Sequence, residues 1–324
     1  MGILDGRSVL VTGGTGSFGR QFVNTVLTET DARRIVIFSR DELKQFEMLQ
    51  QFPDQSRIRF FIGDVRDRDR LERAFHDVDF VIHAAALKQV PAAEYNPFEA
   101  VKTNIHGAQN VIDAAIDTGV ERVIALSTDK ACSPINLYGA TKLVSDKLFI
   151  NGNAYASGRR TRFSVVRYGN VVGSRGSVVP YFRDLAATGV LPITDERMTR
   201  FWITLDQGVR FVLESLERMD GGELYVPKIP SMRVVDLATA MAPTAELRVV
   251  GIRPGEKLHE EMISVSDARS TLDLGDRYVI QPQAEFWPAV ARDGTPVPDG
   301  FSYASDTNDE WLGVDELRTM VANA

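Results

Sequence analysis

Short runs of apolar, often β-branched residues alternate with helical segments through the first half of this 324-residue chain. Unbroken apolar runs predict strands that are covered on both faces, and alternation with helices predicts that these strands pair in parallel. The fold class is therefore expected to be α/β, with a doubly wound parallel sheet. The predicted strands occupy residues 8–12, 34–39, 58–63, 80–84, 122–127 and 162–168, and the predicted helices occupy residues 17–28, 97–118 and 138–156.

Composition and charge exclude several classes of protein. The net charge is −7 and the chain has a single cysteine, Cys132, so neither a disulfide framework nor a cysteine metal cluster is expected. Without a basic stripe, a nucleic-acid partner is not expected. Apolar stretches stay well short of the roughly 20 residues that span a bilayer, and the first residues do not resemble a signal peptide. We expect a cytoplasmic protein with no metal site and no membrane contact.

A glycine-rich loop follows the first predicted strand and opens the first predicted helix. The loop reads TGGTGSFG from Thr12, which places Gly13, Gly16 and Gly19 three residues apart. In a βαβ unit such glycines permit a tight turn, a close approach to a pyrophosphate and close packing of helix on strand. We expect the loop, with Ser17 and Phe18, to bind the phosphates of a dinucleotide at the helix N-terminus.

The end of the second predicted strand indicates which dinucleotide is bound. An acidic residue there would bind the ribose of NAD, whereas this chain has Ser39 and Arg40, with Lys44 one turn later. A hydroxyl and two cations suit a 2′-phosphate, so the expected cofactor is NADP. Asp41 and Glu42 add negative charge beside these two cations. The alternative to a phosphate site is therefore a solvated helix start with mixed charge. The remaining cofactor-binding candidates are Gln45, Asp64, Val65, Ala84, Tyr138, Lys142 and Val171; Asp64 is alternatively a cap for a helix that begins near Asp67.

The alternation of apolar strands and helices becomes irregular after residue 168. It returns with a predicted helix at 206–219 and a short predicted strand at 223–226. We therefore predict a Rossmann domain that binds NADP, formed by residues 1–169 and 205–230. Residues 170–204 and 231–324 are expected to form a smaller α/β lobe that binds substrate. The end of the chain is rich in Pro, Asp and Gly and gives no clear pattern.

Candidate catalytic residues cluster between residues 128 and 142. Tyr138 and Lys142 are four apart, so they share one face of the predicted helix. We expect Lys142 to hold the nicotinamide ribose and to lower the pKa of the Tyr138 phenol from about 10 toward neutrality. Tyr138 would then accept the proton of a substrate hydroxyl, with Thr128 hydrogen-bonded to the same oxygen.

Asp129 and Lys130 follow the fifth predicted strand. An amine can remove the acidic C–H proton beside a newly formed ketone, and a carboxylic acid can protonate a departing hydroxyl. Lys130 must be neutral and Asp129 protonated for these roles, whereas contact between the two residues opposes both states. The alternative is a strand-end ion pair with no chemical role.

Longer motifs resemble a known family. The chain is similar to the extended short-chain dehydrogenase/reductases and, within them, to the configuration-inverting UDP-N-acetylglucosamine 4,6-dehydratases. Related dehydratases that retain configuration carry Asp-Glu where this chain has Asp129 and Lys130. The matching motifs are TGGTGSFG from Thr12, SRDELKQ from Ser39, GDVRD from Gly63, HAAALKQVPAAEYNP from His83, STDKACSPINLYGATKL from Ser127, RYGNVVGSRGSVVP from Arg167, ERMTRFWIT from Glu196 and GIRPGEKLHE from Gly251.

The resemblance implies a complete reaction on UDP-N-acetylglucosamine. NADP⁺ takes hydride from sugar carbon 4 while Tyr138 acts as base, Lys130 removes the carbon 5 proton, and Asp129 helps the carbon 6 hydroxyl leave. Hydride then returns to carbon 6 and a proton reaches carbon 5 from the opposite face. The resemblance also implies bacterial pseudaminic acid synthesis and a homo-oligomer, with a hexamer as one expected form.

Family substrate contacts fall on six matching positions by the same resemblance: Lys88, Asn170, Val178, Thr194, Arg253 and Asn308. Arg253 suits a diphosphate, which needs a cation. Solvated loop charges are the alternative for Lys88 and Arg253, and a turn residue is the alternative for Thr194.

Two other functions remain open from the sequence. A UDP-sugar 4-epimerase needs Thr128, Tyr138 and Lys142 but leaves Lys130 without a role. An NADP-sensing binding protein with a silent site is the alternative of another class, although such proteins usually lose the tyrosine or the lysine.

Overall fold

The computed structural model describes residues 2–52, 56–174, 177–283, 287 and 293–322. The strands are β1 (Ser8–Thr12), β2 (Arg34–Ser39), β3 (Ile58–Ile62), β4 (Phe80–His83), β5 (Arg122–Leu126), β6 (Arg162–Val166), β7 (Asn170–Val171), β8 (Val190–Ile193), β9 (Thr199–Ile203), β10 (Leu224–Pro227), β11 (Ser231–Arg233), β12 (Glu246–Val249), β13 (Glu261–Ile263), β14 (Thr271–Asp273), β15 (Arg277–Ile280), β16 (Thr295–Pro296) and β17 (Tyr303–Ala304).

The helices are α1 (Ser17–Glu29), α2 (Glu42–Gln51), α3 (Arg68–Phe75), α4 (Val90–Tyr95), α5 (Pro97–Val101), α6 (Gly107–Thr118), α7 (Leu137–Tyr155), α8 (Val178–Leu185), α9 (Leu205–Arg218), α10 (Val234–Met241) and α11 (Val314–Ala322). Single 3₁₀ turns occur at Gly2–Leu4, Asp129–Ala131, Ala186–Thr188 and Ala268–Ser270, and a π-helical turn occurs at Lys102–His106.

A ten-stranded sheet organises the first lobe in the order β16-β14-β15-β10-β6-β5-β4-β1-β2-β3. The seven strands from β10 to β3 are parallel, as expected from their unbroken apolar runs. All five residues of β1 are buried because helices cover both faces of the sheet. The strand order reverses between β1 and β4, and a crevice beyond the carboxyl ends of parallel strands at such a point is the usual ligand site. The predicted α/β fold is confirmed.

The second lobe has its own core around Trp202, Phe182 and Leu237, which are almost fully buried. Its strands form three small sheets, ordered β11-β9-β7, β12-β8 and β13-β17. Residues 271–296 were expected in this lobe as part of 231–324. Instead, β15 pairs antiparallel with β10, so β14, β15 and β16 extend the large sheet of the first lobe. Their three- and four-residue lengths left too little periodicity to predict this pairing.

The helix predicted at 97–118 contains an irregularity. α5 and α6 are joined without a break by the π-helical turn Lys102–His106. Within this turn, Asn104 accepts a hydrogen bond from the Leu87 backbone N–H at 2.8 Å and donates to the Leu87 carbonyl at 2.9 Å. Its amide also reaches the Thr141 hydroxyl at 3.0 Å on α7. The turn therefore fixes the loop after β4 against α7.

Candidate active site

The glycine loop is as tight as the sequence predicts. Gly13 has φ of +66°, and an added Cβ would lie 3.0 Å from the Ala85 backbone. A Cβ on Gly19 would lie 2.4 Å from the backbone of Gly14, so α1 can pack on the loop only with glycine there. Gly16 is the N-cap of α1. The first backbone N–H groups of α1 therefore lie at the crevice, where a phosphate group would be stabilised.

A crevice of about 960 Å³ runs from this loop to the end of β5. Nearly all the predicted cofactor residues and the whole predicted catalytic group line it. The cofactor candidates at its wall are Gly13, Gly16, Ser17, Phe18, Gly19, Ser39, Arg40, Asp41, Lys44, Val65, Ala84, Tyr138, Lys142 and Val171. The catalytic and substrate candidates at its wall are Thr128, Asp129, Lys130, Tyr138, Lys142, Lys88 and Asn170. The glycine cradle and the helix N-terminus fit a dinucleotide pyrophosphate.

At the end of β2, carboxylates already neutralise the two expected phosphate-binding cations. Arg40 lies 3.6 Å from Asp64, and the Lys44 amine lies 2.6 Å from Asp41. Asp41 also caps α2 by accepting the Lys44 backbone N–H at 3.0 Å. Arg40 and Lys44 nevertheless line the crevice, so an incoming phosphate would compete with these exposed pairs.

Three predicted cofactor residues do not line the crevice. Glu42 is exposed on α2. Buried Gln45 donates its amide to the Ser39 carbonyl and hydroxyl, both at 3.0 Å, so it orients Ser39 rather than a ligand. Asp64 pairs with Arg66 at 2.7 Å, and the cap of α3 is Asp67. The capping alternative for Asp64 is therefore wrong, and the arginine pairs explain its lowered pKa despite the opposing effect of burial.

The catalytic cluster is built by a sharp turn against the start of α7. The Asp129 N–H donates to the Tyr168 carbonyl at 3.3 Å, which ties the 3₁₀ turn Asp129–Ala131 to the segment after β6. Asn136 caps α7 by accepting the Gly139 N–H at 2.7 Å. A Cβ on Gly139 would lie 2.1 Å from the Lys130 carbonyl oxygen. Glycine at this position therefore allows Tyr138 and Lys130 to face the same crevice.

Lys130 lies between two buried carboxylates. Its Nζ is 3.0 Å from Asp129 Oδ1 and 2.9 Å from Glu260 Oε1. Only 1% of the Asp129 side chain and 2% of the Glu260 side chain are exposed. Burial alone would lower the pKa of Lys130, but the two carboxylates outweigh it and the pKa is raised. The two carboxylates therefore favour the ammonium form of Lys130.

Tyr138 and Lys142 share a face of α7 and are both buried. Burial raises the pKa of Tyr138 to about 12, while Lys130 and the Thr128 hydroxyl act in the opposite direction. The expected lowering toward neutrality is therefore wrong for the protein alone, because burial dominates. Burial also lowers the pKa of Lys142, and the nearby carboxylate of Asp146 opposes this.

A buried network of hydrogen bonds and one ion pair holds α7 in place. Asp146 Oδ2 accepts the Ser127 hydroxyl at 2.7 Å and pairs with Arg167 at 3.2 Å. Arg167 in turn donates to the Met262 carbonyl at 2.9 Å on β13. The network therefore joins the end of β5, α7 and the second lobe.

His83 and Cys132 are packed residues, as the sequence suggests. The His83 ring hydrogen-bonds the Thr12 hydroxyl at 2.9 Å and lies against Phe149. Burial lowers the pKa of His83 to about 3, and Lys142 adds to this, so the ring is neutral. Burial raises the pKa of the Cys132 thiol to about 12.

Four predicted substrate residues lie away from the crevice wall. Val178 begins α8. The Thr194 hydroxyl contacts Met198 sulfur at 3.0 Å, and the exposed Arg253 pairs with Glu256 at 3.2 Å. Asn308 donates its amide to the Ile229 carbonyl at 2.9 Å, in the segment between β10 and β11. In the closely matching motif 167–180, Arg175 and Gly176 lie outside the described residues.

Sequence reasoning missed Glu260. It is the last residue of the GIRPGEKLHE motif, but its 130-residue separation from Lys130 gave no sign that they meet. It also missed several residues that line the crevice: Thr15, Phe38, Ala85, Ala86, Gln89, Thr103, Ser127, Tyr168, Ser174, Ser177 and Leu205.

Comparison with known proteins identifies the family. Residues 9–282 match the family described as "Polysaccharide biosynthesis protein". The chain belongs to this family. A UDP-N-acetylglucosamine 4,6-dehydratase (inverting) from Campylobacter jejuni serotype O:23/36 is 56% identical over 98% of this chain and 98% of its own. The resemblance to the inverting dehydratases is thereby confirmed.

One further relative and one solved structure are named for other activities. A UDP-glucose 4-epimerase from Rickettsia canadensis is 42% identical over 85% of this chain and 82% of its own. The crystal structure of DesIV, a dTDP-glucose 4,6-dehydratase from Streptomyces venezuelae with NAD and TYD bound, superimposes with a TM-score of 0.69 at 26% identity. That match covers 78% of this chain and 86% of DesIV.

The described residues include neither a membrane-spanning helix nor a metal-binding cluster. No helix among them is long and apolar enough to cross a membrane. The same residues contain no group of three or more His, Cys, Asp or Glu side chains placed to hold a metal ion.

Proposed function

We propose that this family member is an inverting UDP-N-acetylglucosamine 4,6-dehydratase that uses NADP. The observation that carries the proposal is the meeting of Asp129, Lys130 and Tyr138 at one end of the crevice, with the Lys130 amine 3.0 Å from Asp129. A base and an acid beside a Tyr–Lys pair are what elimination needs after oxidation at the neighbouring carbon. The 56% identity to the Campylobacter dehydratase supports the same reaction.

The cofactor would lie along the crevice, with its pyrophosphate at the glycine loop. A nicotinamide dinucleotide is supported by the Gly13 and Gly19 cradle and by the NAD bound to DesIV. The choice of NADP rests on Ser39, Arg40 and Lys44 at the crevice wall. When bound, the oxidised nicotinamide supplies the hydride acceptor for sugar carbon 4.

Tyr138 would take the proton of the carbon 4 hydroxyl, with Thr128 orienting that oxygen. The phenol is neutral at rest, because burial raises its pKa to about 12. The cations beside it therefore have to stabilise the phenolate as the proton moves. Lys142, one turn away and buried, is placed to do so.

Lys130, in its neutral form, would remove the carbon 5 proton, and Asp129, in its protonated form, would give its proton to the departing carbon 6 hydroxyl. Asp129 Oδ2 is buried and has no hydrogen-bond partner among the described residues, so this oxygen is available to the substrate. Lys88 and Asn170 line the same crevice and would bind the sugar nucleotide. Val178, Thr194, Arg253 and Asn308 do not line this crevice and are also proposed as substrate contacts. A cytoplasmic homo-oligomer, with a hexamer as one form, is also proposed.

A second candidate activity is 4-epimerisation, which the Rickettsia relative favours. NMR of UDP-N-acetylglucosamine incubated with the protein and NADP⁺ in heavy water separates the candidates. A 4-keto-6-deoxy sugar with deuterium at an inverted carbon 5 is the expected product. UDP-N-acetylgalactosamine would establish the epimerase instead, and the absence of turnover would contradict both enzymes.

A further inference from the structure

The proposed reaction leaves one proton without a destination. The Lys130 amine lies 3.0 Å from Asp129 and 2.9 Å from Glu260, which favours its ammonium form, and an ammonium cannot remove a proton from carbon 5. Asp129, the nearest carboxylate along the chain, is committed to protonating the leaving hydroxyl. Its Oδ1 also accepts the Thr128 hydroxyl at 2.9 Å. A second acceptor for the Lys130 proton is therefore required.

Glu260 reaches Lys130 from the other lobe. It directly precedes β13, and its backbone is fixed at both polar groups: its N–H donates to the Ser305 hydroxyl at 2.9 Å, and its carbonyl accepts the Ser305 N–H at 2.8 Å. Backbone fixed in this way aims the side chain at the Lys130 amine, 2.9 Å from Oε1. The contact joins residues that are 130 positions apart in sequence.

Several charged groups surround this contact. Lys130 faces Asp129, Glu260, Tyr138 and Arg200, whose Nε lies 3.8 Å from Glu260 Oε1. Arg200 also pairs with Glu256 at 3.5 Å, so three carboxyl groups and two cations meet around this contact. Glu260 Oε2 is buried and has no hydrogen-bond partner among the described residues, so this oxygen is not satisfied by any donor there. Moving one proton from Lys130 to Glu260 would remove one positive and one negative charge together.

We infer that Glu260 is the positioning residue that holds the Lys130 amine at the crevice and takes up the proton that Lys130 must lose before it acts as base. In this step one N–H bond of the ammonium breaks, its electron pair stays on nitrogen, and an O–H bond forms at Glu260 Oε1. No charge is created and no co-reactant is needed. Substrate binding drives the step by expelling water, since desolvation favours the neutral pair. The inference rests on the proposed dehydratase function.

The test compares Glu260→Gln with Glu261→Gln. Glutamine keeps the shape of Glu260 but cannot take a proton. Glu261 is the matched control because its carboxylate accepts the Ser133 hydroxyl at 2.8 Å and does not contact Lys130. For Glu260→Gln we expect the dehydration kcat to fall about 100-fold or more, with KM within about 3-fold. Glu261→Gln is expected to remain near the wild type.

Two further readouts separate proton transfer from general damage. Oxidation at carbon 4 does not need Lys130, so Glu260→Gln should still accumulate reduced nicotinamide, seen by absorbance, while deuterium incorporation at carbon 5 is lost. Glu260→Asp, which keeps an acceptor on a shorter arm, should recover about 10-fold of the lost rate. Melting temperatures of all three variants show whether each one folds.

The inference is overturned if folded Glu260→Gln turns over within about 3-fold of the wild type. It is also overturned if reduced nicotinamide formation and dehydration fall together, because that outcome marks a structural role. If the wild type makes no 4-keto product, the proposed function fails and this inference fails with it. If the wild type dehydrates the sugar normally and Glu260→Gln is equally active, the proposed function stands and only the role of Glu260 is rejected.

Discussion

The two lobes bring side chains to the crevice in different ways. The first lobe uses the ends of parallel strands and one helix, so Thr128, Lys130 and Tyr138 come from a single short stretch after β5. The second lobe contributes through turns and short strands. Glu260, which directly precedes β13, extends its side chain to the Lys130 amine. The reacting groups therefore come from one continuous stretch of the first lobe, while a residue distant in sequence completes their electrostatic environment.

The largest expected effect tests whether the first lobe really supplies the base. Lys130→Ala should lower dehydration about 10³-fold, because the variant has no amine to remove the carbon 5 proton. Product formation by NMR measures this. Lys147→Ala, at an exposed position on α7, is the control and should retain activity. Near-normal turnover by Lys130→Ala would remove it as the base.

The second-largest expected effect is on stability, and it tests how closely α7 packs against the turn Asp129–Ala131. Gly139→Ala places a methyl group against the Lys130 carbonyl and should lower the free energy of unfolding by about 1–3 kcal/mol. Gly208→Ala, on α9, has open space around the added Cβ and should raise this free energy by about 0.5–1 kcal/mol. Urea denaturation measures both. Equal effects would show that the α7 contact is not tight.

The buried histidine of the first lobe predicts a pH dependence of stability. The pKa of His83 is lowered to about 3 in the folded protein, below the unfolded value of about 6.5. Its contribution is therefore complete above pH 6.5 and is lost as the pH falls toward 3. Between pH 7 and 5 the wild type should lose about 2 kcal/mol more than His83→Gln. Exposed His76→Gln should keep the wild-type dependence, and a His83→Gln curve parallel to the wild type would contradict this prediction.

The smallest expected effect concerns cofactor choice. Arg40→Ala should raise KM for NADP about 10-fold and leave KM for NAD unchanged, since Arg40 would bind only the 2′-phosphate. Initial rates with each cofactor measure this. Glu42→Gln, exposed and away from the crevice, is the control. Equal changes for both cofactors would argue against NADP selectivity through Arg40.

Sequence reasoning predicted the regular half of the molecule well. The strands β1 to β6, the tight glycine turn and the shared face of Tyr138 and Lys142 all follow from periodicity and spacing. It could not predict that burial would raise the pKa of Tyr138, because burial depends on packing from distant segments. The same limit hid Glu260, and the short strands β14 to β16 carried too few residues to show a period.

The π-helical turn at Lys102–His106 has a consequence for comparing relatives. Such a turn amounts to one extra residue within an otherwise regular helix. A chain shortened by one residue there would form a regular α-helix. The two halves of the helix would then be rotated by about 100° relative to each other. Asn104 would then swing off Leu87, next to crevice-lining Lys88. A one-residue gap at this point in an alignment would therefore mark a relative with a reshaped sugar pocket, even when its Tyr-x-x-x-Lys motif is intact.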